Sequence, residues 1–210
     1  MFTGIIQSVG TIADAQPQGG DLRLYIQTGK LPLADVQLGD SIATSGVCLT
    51  VVALPGDGFW ADVSGETLRL TTLGEKGVGD SVNLEKSLTP TTALGGHIVS
   101  GHVDGVGRVV SMTQDARSWV YDIESPLELA HYIARKGSIC VDGTSLTVNA
   151  VDGCRFSLNI IPQTFEETVF SDYQVGSRVN LEVDLIARYL ERLALRDTLS
   201  VGHGLSSEPE

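Results

Sequence analysis

The chain has 210 residues, enough for one large or two small domains that each bury a core. Its 14 Lys and Arg stand against 26 Asp and Glu, a net charge of −12, which excludes the basic footprint that nucleic acid or an anionic lipid surface requires. An apolar content of 42% with 19% charged residues describes a folded globule, and no window approaches the roughly 18 apolar residues of a membrane span.

Met1-Phe2-Thr3-Gly4 has neither a basic region nor an apolar core, so no signal peptide is expected. Alternation of period two follows at Leu22-x-Leu24-x-Ile26, Phe59-x-Ala61-x-Val63 and Val82-x-Leu84, and predicts half-buried strands. A short helical turn fits Leu31–Leu38, and Cys48 sits in an apolar run where a buried, inert thiol is the default. Thr89-Pro90-Thr91-Thr92 and Gly95-Gly96 supply linker chemistry, so a domain boundary is placed near Leu88–Gly96. His97 and His102 lie five apart, which predicts opposite faces of a strand and poor geometry for one metal site.

Gly101-x-x-x-Gly105-x-Gly107 lacks the dinucleotide-binding spacing, and Gly143-Thr144-Ser145-Leu146-Thr147 lacks the Lys of a phosphate loop. Strand alternation returns at Trp119-x-Tyr121-x-Ile123, Phe156-x-Leu158-x-Ile160 and Val179-x-Leu181-x-Val183, with helical turns fitting Pro126–Lys136 and Glu166–Ser171. Asp184–Asp197 breaks the pattern: Leu185, Ile186, Tyr189, Leu190 and Leu193 recur at helical spacing, an apolar stripe expected to bury against its own barrel or another subunit. The remainder is polar and Gly-rich and reads as a disordered tail. Three cysteines without a C-x-x-C pair argue against a disulfide framework or a zinc site, and fit a reducing cytosol.

Displacing the chain by 97 residues superposes it on itself without a gap. Gly4 falls on Gly101, Ser41-Ile42 on Ser138-Ile139, Leu49-Thr50-Val51 on Leu146-Thr147-Val148, and Val82-Asn83-Leu84-Glu85 on Val179-Asn180-Leu181-Glu182. So long a period means two duplicated domains. About six short strands in each suggest a sandwich or a small closed barrel, and closure would remove the edge strands. Two similar domains make two similar pockets, suited to one ligand bound twice or to two like ligands brought together. The mismatches set them apart: Cys48 falls on Ser145, Val47 on Thr144, Val52 on Asn149, Ile5 on His102, Gly39 on Lys136 and Ser87 on Asp184.

Four segments together resemble the riboflavin synthase family: Met1–Ile6, Gly46–Val51, Gly95–Gly105 and Asp142–Asn149. The likeness extends over about residues 1–197. It implies an all-β fold of two tandem duplicated six-stranded antiparallel Greek-key barrels plus a C-terminal α-helix. The corresponding divisions are a barrel over 1–96, a second over 97–184, an oligomerisation helix over 185–197 and a tail over 198–210. It implies a homotrimer and no cofactor, and admits association with lumazine synthase; the cysteine and histidine spacings already argue for no metal. The reaction it implies is the dismutation of two 6,7-dimethyl-8-ribityllumazine molecules. One gives a four-carbon unit to the other, yielding riboflavin and 5-amino-6-(D-ribitylamino)uracil, at a site joining the N-terminal barrel of one subunit to the C-terminal barrel of its neighbour.

Carried over residue by residue, the resemblance assigns the first pocket to Gly4, Ile5 and Ile6, to Cys48, Leu49 and Thr50, and to Asp62, Val63, Ser64, Gly65, Glu66 and Thr67. The second is assigned to Gly101, His102 and Val103, to Lys136, to Ser145, Leu146 and Thr147, and to Asn159, Ile160, Ile161, Pro162, Gln163 and Thr164. Backbone groups of 62–67 and 159–164 would read the pyrimidinedione. Catalysis is expected from Cys48, His102, Ser145, Thr147 and Asp184, with Ser41 and His97 beside them. Cys48 or Ser145 would supply or guide a nucleophile at C7, and His102 would move the acidic 7-methyl proton. The rival reading is a non-catalytic lumazine- or flavin-binding antenna protein, which needs only one tight pocket. A flavin-dependent reductase would need a nicotinamide domain for which the chain has no room.

Overall fold

The computed structural model describes residues 1–200, with side chains through Leu195. Twelve strands form two closed barrels. The first holds β1 (Ser8–Gln18), β2 (Asp21–Gln27), β3 (Ser41–Thr44), β4 (Val47–Ala53), β5 (Gly58–Val63) and β6 (Ser81–Lys86), in the order β1-β2-β5-β4-β3-β6. The second holds β7 (Gly105–Asp115), β8 (Ser118–Glu124), β9 (Ser138–Val141), β10 (Thr144–Asp152), β11 (Arg155–Ile160) and β12 (Arg178–Val183) in the same cyclic order. Every pairing is antiparallel, and the meander β3-β4-β5 with β2 returned beside β5 is a Greek key. Short helices α1 (Gly65–Leu70) and α2 (Pro162–Glu167) follow the fifth strand of each barrel, and α3 (Leu185–Ser200) follows the last.

Alternation builds each core. In β2, Leu24 and Ile26 turn inward and Arg23 turns out; in β5, Phe59, Ala61 and Val63 are inward. The equivalent second core centres on Tyr121, Ile123, Phe156, Leu158 and Phe170, and the Tyr121 hydroxyl donates to Phe170 O at 2.9 Å. Each such large apolar side chain stabilises the fold by roughly 1.5–3 kcal/mol on burial.

Strands β6 and β12 depart from the expected half-buried alternation, for Asn83, Glu85, Asn180 and Glu182 on their outward faces are also buried. The reason is the neighbouring barrel. Asn83 donates to Asp142 O (2.8 Å) and accepts from Val169 N (2.9 Å); Asn180 donates to Ser45 O (2.8 Å) and accepts from Thr72 N (2.8 Å). These clasps are reciprocal, each repeat's Asn reaching the same kind of backbone groups in the other barrel.

Other expectations change in detail. Leu31–Leu38 forms turns without a helix, and Pro126–Lys136 tightens only into a 3₁₀ segment over Leu127–Tyr132. Residues 96–104 hold no strand; their one ladder contact is the Phe2–Val99 bridge, so His97 and His102 do not sit on opposite faces of a strand. The C-terminal helix runs to Ser200, past the expected Asp197, and the tail beyond Ser200 lies outside the described residues. No described helix is long and apolar enough to cross a membrane.

Candidate active site

Two cavities of about 220 and 210 Å³ lie at matching places on the two barrels. One is lined by Gly4, Ile5, Ile6, Thr144, Ser145, Gln163, Thr164, Glu167 and Thr168. The other is lined by Gly101, His102, Val103, Val47, Cys48, Glu66, Thr67, Leu70 and Thr71. Every residue of one is the repeat partner of a residue of the other. The expected sharing is therefore crossed. Gly4–Ile6 complete the second barrel's cavity, not the first, and Gly101–Val103 complete the first.

The crossing follows from the hydrogen bonds. The two N-terminal segments lie antiparallel, Phe2 N donating to Val99 O at 2.7 Å and Val99 N to Phe2 O at 3.1 Å. From there each reaches the opposite barrel: Ser145 N donates to Gly4 O at 2.7 Å, and Cys48 N to Gly101 O at 2.9 Å. Gly4 (φ +75°) and Gly101 (φ +80°) are required at these contacts. A Cβ on Gly4 would stand 2.5 Å from Ser145 Cβ, and one on Gly101 2.7 Å from Cys48 Cβ.

Cys48 alternates outward on β4 and is half-buried, so the apolar run around it does not make it a core thiol. Ser145 holds the equivalent place on β10. His97 joins Ser145, with Nδ1 and Oγ 2.6 Å apart. Burial pushes the His97 pKa below its ordinary value, against the opposing pull of Asp184 and Glu182. A neutral imidazole whose Nδ1 carries no proton can accept the serine proton here. Asp184 also caps α3, its Oδ1 accepting from Ile186 N at 3.0 Å.

The β4–β5 ladder ends at Val51–Ala61, and the β10–β11 ladder at Val148–Leu158. Thr50 with Asp62, and Thr147 with Asn159, therefore run past the end of a seam, with exposed side chains at its mouth. Asp62 is held by Arg23 (Nε–Oδ1 2.6 Å), which draws its carboxyl below the usual range. Leu49, Val63 and Ile160 point into the cores and can offer only backbone to a ligand; Leu146 packs against the second core. Ser64 caps α1, accepting from Thr67 N, and Gly65 N donates to Asp21. Ile161 and Pro162 open α2.

His97, Asp184, Ser41, Thr147 and Lys136 are among the expected residues that do not line either cavity. Ser41 lines a separate one of about 290 Å³ with Gln7, Lys86 and Ser87. Thr147 pairs with Ser138 across β9–β10, as Thr50 pairs with Ser41. Lys136 is exposed in a left-handed turn (φ 69°) where the first repeat has Gly39.

The residues missed from sequence include the lining Thr71, Thr144, Glu167 and Thr168, and the buried Glu85 and Glu182. The repeat already aligned the two glutamates, but alternation had placed them on an open face. Glu85 Oε1 accepts from Thr3 N (2.7 Å) and Thr3 Oγ1 (2.6 Å), and its Oε2 from Gly4 N (2.9 Å). Glu182 does the same for Ser100 and Gly101.

The lumazine binding domain family matches the chain twice, over residues 3–87 and 100–184. A riboflavin synthase of Photobacterium phosphoreum is 50% identical over 197 residues, covering 94% of this chain and 90% of its own. One of Bacillus subtilis (strain 168) is 41% identical over 192 residues, covering 91% and 89%. Among solved structures, LumP complexed with 6,7-dimethyl-8-(1'-D-ribityl) lumazine is similar with a TM-score of 0.79 at 27% identity, covering 87% of this chain and 99% of that one. LumP complexed with riboflavin reaches 0.81 at 28%, with the same coverage. With two domain copies in the register of its internal repeat and full-length synthase relatives at this identity, the chain belongs to the riboflavin synthase family.

Proposed function

We propose that this chain dismutates two molecules of 6,7-dimethyl-8-ribityllumazine at a site formed by the Cys48–His102 cavity of one subunit and the Ser145 cavity of its neighbour, where His97 is hydrogen-bonded to Ser145. The observation that carries the reading is the residue-for-residue match of the two cavities, combined with their unequal chemistry. Donor and acceptor begin as the same molecule, so similar cavities bind both, and the differing side chains make one give and the other receive.

Open seams beyond Val51–Ala61 and Val148–Leu158 leave backbone edges within 62–67 and 159–164 to read the pyrimidinedione, while Thr50 and Thr147 meet ring or ribityl oxygens. Ser145 passes its proton to neutral His97 and supplies the nucleophile at C7 of one lumazine. His102, on the rim of the other cavity, moves the 7-methyl proton of the second. Stacking two reactive rings contributes the proximity effect, several kcal/mol in well-oriented cases. Residues of this chain suffice for these roles without a cofactor.

The subunits assemble as a homotrimer through α3, whose Ile186, Tyr189, Leu190 and Leu193 are each 61–65% exposed. The opposite side of that helix is tied to the second barrel, Glu191 accepting from His131 Nε2 (2.9 Å) and from the Tyr132 hydroxyl, and Arg188 pairing with Asp104. The enzyme works in the cytoplasm.

Incubation of the purified protein with the lumazine tests the reading. Riboflavin and the ribitylaminouracil are expected in equal amounts from two lumazines. Ligand held without conversion would make this an antenna protein. A native mass about three times 22.3 kDa is the expected companion result, and a monomer would remove the intersubunit site.

A further inference from the structure

Glu182 is 4% exposed, and among the described residues no cation pairs with it. Its carboxylate is filled by four donors from one segment: Ser100 N (2.6 Å) and Oγ (2.7 Å) on Oε1, Gly101 N (2.9 Å) and His102 N (3.0 Å) on Oε2. Glu85, its repeat partner, takes only three. The amide equivalent to that of His102 belongs to Ile5, and it turns away to Thr3 Oγ1 at 3.1 Å. The extra bond to a buried carboxylate thus falls on the crossing segment whose next side chain is an imidazole, and not on the one whose next side chain is apolar. Residues 100–104 have no ladder of their own. Glu182 on one side and Cys48 N–H on the other hold residues 100–102, and Asp104 N, donating to Leu181 O at 2.8 Å, anchors the far end of the segment.

We infer that Glu182 is a positioning residue for His102, holding the imidazole at the rim of the Cys48 cavity where the 7-methyl proton is moved. The inference rests on the synthase reading above. A carboxylate fits this task because two oxygens accept four donors; a Gln at the same place offers one acceptor oxygen and turns an NH₂ toward two of them. Displacements of about 1 Å at a reacting group cost on the order of 100-fold in rate.

Steady-state turnover of E182Q, H102A and the double variant tests this, alongside circular dichroism and native mass. The expected result is a kcat about 10- to 100-fold below wild type in E182Q that retains its fold, and a double variant no slower than H102A, because Glu182 acts through His102. E182Q within twofold of wild type, or losses that multiply in the double variant, would overturn the role. S100A removes a single donor, and is expected to lower kcat about two- to fivefold, again without adding to H102A. Should E182Q not fold, S100A decides, and wild-type turnover there would overturn the inference. Failure of the wild type itself to form riboflavin would sink the synthase reading instead. The hook would then be read from the His102 amide, whose hydrogen exchange is expected to quicken in S100A and to remain unchanged if the hook is unimportant.

Discussion

Ser145 and His97 are 48 residues apart in sequence and 2.6 Å apart in space. A serine hydroxyl is a poor nucleophile until a base takes its proton, and burial keeps this imidazole neutral and able to do so. Replacing Ser145 by Ala is expected to lower kcat by about 10²- to 10⁴-fold while bound-lumazine fluorescence still titrates, since the cavity walls persist. The same pair sets the acid limb of the pH profile. His97 is held below its ordinary value of 6.5, so the midpoint of the acid limb of kcat/KM is expected below pH 6.5. H97N should abolish that limb together with most of the activity; a limb that survives H97N would assign it to another group.

Helix α3 shows how one element can have two kinds of surface. Glu191 and Arg188 tie one side to the second barrel, while Ile186, Tyr189, Leu190 and Leu193 make an exposed apolar stripe. In the proposed trimer, burial of such a stripe is worth roughly 1.5–3 kcal/mol for each large side chain. If α3 assembles the proposed trimer, placing Asp at Leu190 and Leu193 together is expected to reduce the native mass to that of a monomer with the barrel circular dichroism intact. Turnover should fall with the mass if the site spans subunits. An active monomer would show that one chain is sufficient.

Across the whole chain, the clasp between barrels concentrates cost in few groups. Asn83→Ala would leave Val169 N–H and Asp142 C=O without their partner in a buried place, a loss of about 2–4 kcal/mol that a urea titration would read as a lower midpoint. Asp142 itself lies fully buried between Asn180 N and the Tyr173 hydroxyl, and desolvation raises its pKa from 3.8 to about 6. The folded state therefore holds this proton more tightly than the unfolded chain. Its contribution to stability is complete below pH 3.8 and is lost as the pH rises through about 6, on the order of 3 kcal/mol. In D142N that downward slope should vanish. An unchanged pH dependence of the urea midpoint between 4 and 7 would exclude Asp142 as its source.

Much of this architecture was readable from the chain. The offset of 97 residues, the period-two runs and the helical stripe after Asp184 depend on local pattern, and each became a strand, a barrel or a helix where expected. The paired identities of Cys48 with Ser145 and Ile5 with His102 also survived as the difference between two cavities. Pattern alone could not show which barrel each N-terminal segment completes, because a displacement register relates copies of a motif and carries no information about exchange between them. Backbone bonds from Ser145 to Gly4 and from Cys48 to Gly101 settled that, joining His97 to Ser145 and His102 to the Cys48 cavity. Burial of Asn83, Glu85, Asn180 and Glu182 was equally hidden. Alternation reports one apolar face per strand, and only the packing of a second barrel on the other face turns polar residues into clasps and hooks.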